Sequence, residues 1–178
     1  IDNGHIEEED YQKQSIYSVL YSLYDYIGTV NSDKGVNYHF TFNTWGFHSN
    51  SSNFDENDPE RFGKTAYKSL VLFDEIQNLI SSKVSSNKEL RILEVGCGTG
   101  AGANLISSEL VQENPTLDII YTALDMQLAA INLCKKLHAV NNTNLNCVQG
   151  NGMNLPFNDN TFDIVIVSET HIAEIDID

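Results

Sequence analysis

The run Leu93-Glu-Val-Gly-Cys-Gly-Thr-Gly100 ends an apolar segment in an acid and then places glycine at 96, 98 and 100. Glycine lets backbone approach a ligand with no Cβ in the way. The helix expected to follow offers N–H groups at its start. Taken alone, the loop fits two readings. Gly96, Gly98 and Ala101 satisfy a GxGxxG/A spacing that suits a dinucleotide pyrophosphate, and a glycine cluster also serves tight packing. Glu94 shifts the balance, because a carboxylate there repels a pyrophosphate and attracts an ammonium group. The competing reading of Glu94 is a solvated acid at a strand end.

Asp125 closes a second apolar run, 31 residues after Glu94. It suits acceptance of two vicinal hydroxyls, or capping of a helix that begins near Met126. A third segment is Gly150-Asn-Gly-Met-Asn-Leu-Pro-Phe157, in which Met153 and Phe157 either line a slot for a flat ring or fill the core. Ser168-Glu-Thr-His171 follows a fourth apolar run. An unperturbed imidazole titrates near pH ~6.5, so His171 is the candidate general base. Glu169 is its orienting partner or a substrate contact, and a surface His without a role is the competing reading. His39 and His48 are weaker candidates. The acids are dispersed, so no metal cluster is expected.

These residues need a scaffold, and the pattern from Leu90 onward supplies one. Arg91–Val95, Asp118–Leu124, Leu145–Val148 and Phe162–Val167 read as strands, with helices over Ala101–Gln112 and Met126–Val140 between them. Strands alternating with helices imply a parallel sheet covered by helices on both faces, wound by right-handed crossovers. The fold class is therefore α/β, a Rossmann-like doubly wound parallel sheet of about four strands with an N-terminal helical cap. Residues 1–10 are polar and acidic. Ile16, Val19, Leu20, Leu23 and Ile27 recur at helical spacing and Gly28 stops that helix. Residues 31–62 mix polar residues with rings, among them Trp45, and read as ordered but irregular. A second helix is expected over Thr65–Ser81, burying Leu70, Phe73, Ile76, Leu79 and Ile80. The division is an aromatic cap at 1–64 and a core at 65–178.

Composition narrows the function classes. The 178 residues carry 25 acids against 10 Lys plus Arg, a net charge of −15. Such a chain repels phosphate backbones and anionic lipid surfaces, so neither nucleic acid nor a membrane surface is an expected partner. No stretch approaches the ~18 apolar residues of a membrane span. Cys97, Cys134 and Cys147 are odd in number with no CxxC, which argues against a disulfide framework or zinc site and for a cytoplasmic setting. The chain opens at Ile1 and carries no signal-peptide pattern.

In their order along the chain, the three segments resemble the class I S-adenosylmethionine-dependent methyltransferases, over Leu90 to His171. That cofactor carries an amino-acid tail and a sulfonium, and no phosphate. The resemblance implies that Glu94 and the loop Gly96, Cys97, Gly98, Thr99 and Gly100 hold its methionine portion. It implies that Asp125 takes the ribose hydroxyls, with Met126 beside it, that Asn151, Gly152 and Met153 hold the adenine, and that Ser168 is a further cofactor contact. The family has Asp at 151 and usually Ala at 152. Asn151 can still accept from an amino group but without charge, which predicts weaker binding. Tyr24-Asp-Tyr-Ile-Gly28 and Asn43-Thr-Trp-Gly-Phe47 resemble the aromatic cap of family members acting on sterols and phthiotriol-type lipids. This implies Tyr24 and Trp45 as substrate contacts; the competing reading is capping of the core.

The expected activity is methyl transfer from S-adenosyl-L-methionine to a small organic or lipid-like acceptor, leaving S-adenosyl-L-homocysteine. Family members continue past the fourth strand to complete a seven-stranded sheet. The tail Ile172–Asp178 is too short for three more strands, which average ~5–6 residues each. The chain is thus expected to be a fragment, to gain its missing half from a second chain in an oligomer, or to be a degenerate relative kept for binding. Two rivals stand beside the enzyme reading. One is a non-catalytic subunit that binds a partner through the open sheet edge; the other is an NAD-dependent oxidoreductase.

Overall fold

Leu90, Ile92, Leu93 and Val95 are all buried, an apolar density that only a strand at the centre of a sheet accommodates. In the computed structural model, which describes residues 19–26 and 54–168, they form β1 (Leu90–Val95), paired in parallel on both sides. Its neighbours are β2 (Ile119–Asp125) and β4 (Ile164–Val167), and β3 (Leu145–Gln149) lies outside β2. The order β3-β2-β1-β4 brings Val95 level with Leu124 and Val167, and Asp125 level with Gln149. Every carboxyl-terminal strand end therefore meets along one edge, where ligands bind in such sheets. The expected α/β parallel sheet is what forms.

Helices α4 (Ala101–Glu113) and α5 (Leu128–Cys134) cross between strands and pack Ile106, Leu110, Ile131 and Cys134 on the face that carries Ile92, Tyr121 and Ala123. A π-helical turn, Lys135–Ala139, prolongs α5. The opposite face carries Leu93, Val95 and Leu124. Helices were expected there too, but among the described residues Phe157 and Phe162 cover it. Their rings meet edge to face at 4.9 Å within the irregular connection from β3 to β4. Phe157 is thereby assigned to packing. Phe162 turns away to make this contact, so β4 starts two residues later than its apolar run suggested.

The single helix expected over Thr65–Ser81 is instead two. α2 (Arg61–Leu70) stops at a turn through Val71, Leu72 and Phe73, and α3 (Asp74–Ser86) starts afresh. Gln77 Nε2 donates to the Val71 carbonyl at 2.7 Å, satisfying a group the break exposes. Phe73, placed in the buried stripe from its spacing, is 59% exposed at the corner. Residues 64 and 65, the expected meeting of cap and core, lie inside α2. Below the sheet, Asp163 accepts from Lys83 Nζ at 2.6 Å and from the Arg91 N–H at 2.9 Å, pinning β4 to α3 and β1. Residues 19–26 form a further helix, α1, whose Tyr21 and Tyr24 pack on Ala130 and Leu133 of α5.

A second correction concerns the cysteines. Cys134 and Cys147 are joined as a disulfide, which their spacing and odd number had argued against. The packing of α5 on β3 brings their Cα atoms to 6.4 Å, within the range a disulfide spans. Cys97 is free and buried. Among the described residues no helix is long and apolar enough to cross a membrane, and no acid, His and Cys group is arranged to hold a metal ion.

Candidate functional site

The glycine loop between β1 and α4 bends through three left-handed residues, with φ of 77° at Gly96, 55° at Gly98 and 80° at Gly100. The Gly96 and Cys97 N–H groups donate to the Leu124 carbonyl at 2.8 and 3.0 Å, which ties the loop to the end of β2. Gly100 is the N-cap of α4, and a Cβ there would lie 2.3 Å from Cys134 Sγ. Only glycine satisfies both the angle and the space. Thr99 and Cys97 are buried within the loop, and burial raises the Cys97 thiol well above its ordinary pKa.

Glu94 lies beneath this loop with no exposed surface, which excludes the solvated-acid reading. The Tyr67 hydroxyl on α2 donates to its Oε1 at 2.7 Å, and the Tyr121 hydroxyl on β2 donates to Oε2 at 3.0 Å. Burial is the largest influence on its titration and raises its pKa from 4.5 to about 7. The two phenols pull the other way, and the charge of Asp125 adds to the rise. Tyr67 also hydrogen-bonds Ser168 at the end of β4. Its ring fills the space that a side chain at Gly102 would need. One tyrosine thus joins α2, α4, β1 and β4 at the ligand edge.

Asp125 is 8% exposed. Its Oδ2 accepts from the Gly98 N–H at 2.9 Å and its Oδ1 from the Gln127 N–H at 2.8 Å. Burial raises its pKa, and the two backbone N–H groups oppose the rise. The helix-capping alternative is not what forms: Gln127 is the N-cap of α5, and Asp125 holds that residue's N–H from two positions back. Each carboxylate oxygen keeps a second lone pair.

On the other side of the edge, Gly150 N–H donates to the Asp125 carbonyl at 3.0 Å, and Gln149 Nε2 to the Met126 carbonyl at 3.2 Å. These bonds bring the segment after β3 against the segment after β2. Asn151 Oδ1 accepts from the Met153 N–H at 2.9 Å, shaping a tight turn. Gly152 lies close enough to Val95 that a Cβ would approach its Cγ1 to 2.8 Å. Met126 and Met153, in the segments that follow β2 and β3, stay exposed at 42% and 57%. Lys64, Lys68, Lys83, Arg91 and Lys136 pair with acids other than Glu94 and Asp125.

The structure thus brings together Glu94, the loop 96–100, Asp125, Met126, Asn151, Gly152, Met153 and Ser168. Tyr24, on α1, packs with Tyr21 against Ala130 and Leu133 of α5. Glu169, His171 and Trp45 lie outside the described residues, as do His39 and His48. Sequence reasoning missed Tyr67 and Tyr121. Tyr121, on the neighbouring strand β2, and Tyr67, on α2, each lie 27 residues from Glu94, so neither carried a local signal.

Residues 92–178 match the protein family described as "Methyltransferase domain". The chain is 41% identical over 76 residues to the phthiotriol/phenolphthiotriol dimycocerosates methyltransferase of Mycobacterium tuberculosis, a stretch covering 43% of this chain and 25% of that protein. It is 40% identical over 83 residues to the fatty-acid O-methyltransferase of Mycolicibacterium smegmatis, covering 46% and 27% respectively. The chain therefore spans about a quarter of the length of these curated relatives. Among solved structures, a SAM-dependent methyltransferase from Aquifex aeolicus aligns at 26% identity with a TM-score of 0.39, over 62% of this chain and 51% of that one. Residues 92–178, which hold the glycine loop and the strand-end acids, thus match a methyltransferase domain, and the chain is similar to class I S-adenosylmethionine-dependent methyltransferases over that part of its length.

Proposed function

We propose that this chain binds S-adenosylmethionine across the carboxyl edge of its sheet and serves methyl transfer to a lipid-like or small organic acceptor. The observation that carries the reading is the pair of acids at the glycine loop, Glu94 beneath it and Asp125 holding the Gly98 N–H. This environment suits a cationic, phosphate-free nucleoside and disfavours a pyrophosphate. The residues fit the cofactor: bare backbone at Gly96–Gly100 for the methionine portion, Asp125 for the ribose, and Met126 with Asn151–Met153 for the adenine. Glu94 acts from below the loop, since both its oxygens are already bonded by phenols.

When bound, the cofactor supplies an electrophilic methyl on a sulfonium. The chain's own residues then position an acceptor and remove its proton. His171, just past the end of β4, is the proposed base and Glu169 its companion. The lipid-like acceptor is supported by the names of the two relatives, one acting on phthiotriol dimycocerosates and one on a fatty acid. Tyr24 and Trp45 are the proposed acceptor contacts, in a cap of residues 1–64 that shares α2 with the core at 65–178.

Calorimetric titration tests the reading. Heat with S-adenosylmethionine and S-adenosylhomocysteine, and none with NAD, is the expected result; the reverse pattern overturns it. A second reading has its own observation. Val165 and Val167 of β4 are 57% and 46% exposed, a surface on which a binding subunit can seat a partner. Folded chain that gives no heat with either cofactor form favours that subunit.

A further inference from the structure

The disulfide lies directly behind the ligand loop. Cys134, fully buried, is the last residue of α5, and a π-helical turn begins immediately after it. Its sulfur is packed against the bare α-carbon of Gly100, where an added Cβ would lie 2.3 Å from Sγ and 3.0 Å from the Cys134 Cβ. Cys147 is in the middle of β3, half-buried on the edge strand of the sheet. Two residues further on, β3 delivers Gln149 and Gly150 to their bonds with Met126 and Asp125. One covalent link therefore connects α5 to the strand that feeds one wall of the site, while its buried sulfur backs the opposite wall.

We propose that Cys134–Cys147 is a thiol–disulfide modification site that sets the affinity of the glycine loop for its cofactor. The proposal rests on the reading of that loop as the S-adenosylmethionine site. Bonded sulfurs are ~2.05 Å apart, whereas non-bonded heavy atoms of this size need roughly 3.5–4 Å. Opening the bond therefore requires the two sulfurs to separate, by displacement of either or both. Behind Cys134 stands Gly100, held at φ 80° as the N-cap of α4 and in contact with the Cys134 sulfur. The movement is transmitted either to Gly100 or, through Cys147, to the approach of β3. With the bond closed the loop holds the form described above; with it open the loop loses its backing and binds more weakly.

The chemistry is ordinary thiol–disulfide exchange with a low-molecular-weight thiol. Its thiolate attacks the half-buried Cys147 sulfur, forming a mixed disulfide and releasing Cys134 as a thiolate that takes up a proton. A second thiol attacks the small-molecule sulfur of that mixed disulfide and releases Cys147 as its thiol. Two thiols are oxidised to one small disulfide, and two electrons reduce the protein bond. Burial makes Cys134 a poor leaving group, so the change is slow and the bond state acts as a setting.

The test uses the full chain after mild oxidation with a small disulfide and after reduction. Alkylation under denaturing conditions is read by intact mass. One labelled cysteine, Cys97, is expected in the oxidised form and three in the reduced form. Three labels in both forms overturn the proposal. S-adenosylmethionine is then titrated into each form, and the reduced form is expected to bind roughly fivefold or more weakly. Cys147→Ser should match the reduced form and ignore the oxidant. Equal affinity in both states overturns the proposal. If neither state binds, the cofactor reading fails on its own. Amide exchange over residues 96–104 then judges the coupling: protection that follows the bond state supports it, and protection that does not overturns it.

Discussion

The Tyr67 hydroxyl donates to Glu94 Oε1 at 2.7 Å, joining the helix before the sheet to the carboxylate at the end of its central strand. Because the Tyr67 ring also fills the space beside Gly102, Tyr67→Phe removes the bond and keeps the packing. A buried carboxylate that loses a donor costs about 1.5–3 kcal/mol when it is charged. The variant should therefore be destabilised by that amount at pH 8 and by less at pH 5.5, measured as urea midpoints at the two values.

Glu94 also makes stability depend on pH. Its carboxyl is raised from 4.5 unfolded to about 7 folded, chiefly by burial. Between those values the folded chain holds a proton that the unfolded chain has released, so stability falls as pH rises through this window. The loss is on the order of 3 kcal/mol. The groups facing Glu94 are Tyr67 on α2, Tyr121 and Asp125 on β2, and Cys97 in the loop. Asp163, held below its ordinary pKa by Lys83 and Arg91 against the effect of burial, acts in the opposite sense and only at lower pH. Thermal melts from pH 5 to 8 should show the decline in the parent chain and a flatter profile in Glu94→Gln. Cofactor affinity should run the other way, rising from pH 6 to 7.5 as Glu94 ionises.

Asp125→Ala removes the acceptor for both the Gly98 and the Gln127 N–H groups. The proposed ribose role predicts a loss of tenfold or more in S-adenosylmethionine affinity, with each lost charged hydrogen bond worth about 1.5 kcal/mol or more. Calorimetry reads the affinity and circular dichroism checks the fold. Unchanged affinity refutes the role.

Gly100→Ala meets two penalties, the left-handed angle and the sulfur of Cys134. The backbone term is about 1–2 kcal/mol, and overpacking adds about 1–3 kcal/mol. Made in a Cys134→Ala background, which already lacks the disulfide, the same change should cost only the first part, as read from denaturant midpoints of Cys134→Ala with and without Gly100→Ala.

His171→Ala should lower turnover with little effect on cofactor affinity, if that imidazole takes the acceptor's proton. Methyl transfer to a fatty acid or a long-chain alcohol, followed by loss of label from the cofactor, reads it directly. Full activity removes His171 from the mechanism.

The strands and the glycine loop were legible because each is a local pattern. Leu90–Val95 and Ile119–Asp125 are apolar runs with an acid in their last two positions, and alternation with helices dictates parallel pairing. The break at Val71–Phe73 was not legible, because Leu70, Phe73 and Ile76 continue a helical spacing straight through the turn. Its cause is tertiary: Val71 is buried in the core while Phe73 faces solvent. The Tyr67–Glu94 and Cys134–Cys147 pairs also escaped notice. They are 27 and 13 residues apart on different elements, and only the packing of helix on strand makes them neighbours.

The order β3-β2-β1-β4 has a consequence for how the chain is made. On a ribosome, β1 acquires β2 on one flank soon after it emerges, but its other flank waits for Ile164–Val167, about 70 residues later. At 5–20 residues per second that interval lasts roughly 3–14 s. Throughout it, β1, an inner strand among the four described, is an unprotected margin of the nascent sheet, open to any extended segment nearby.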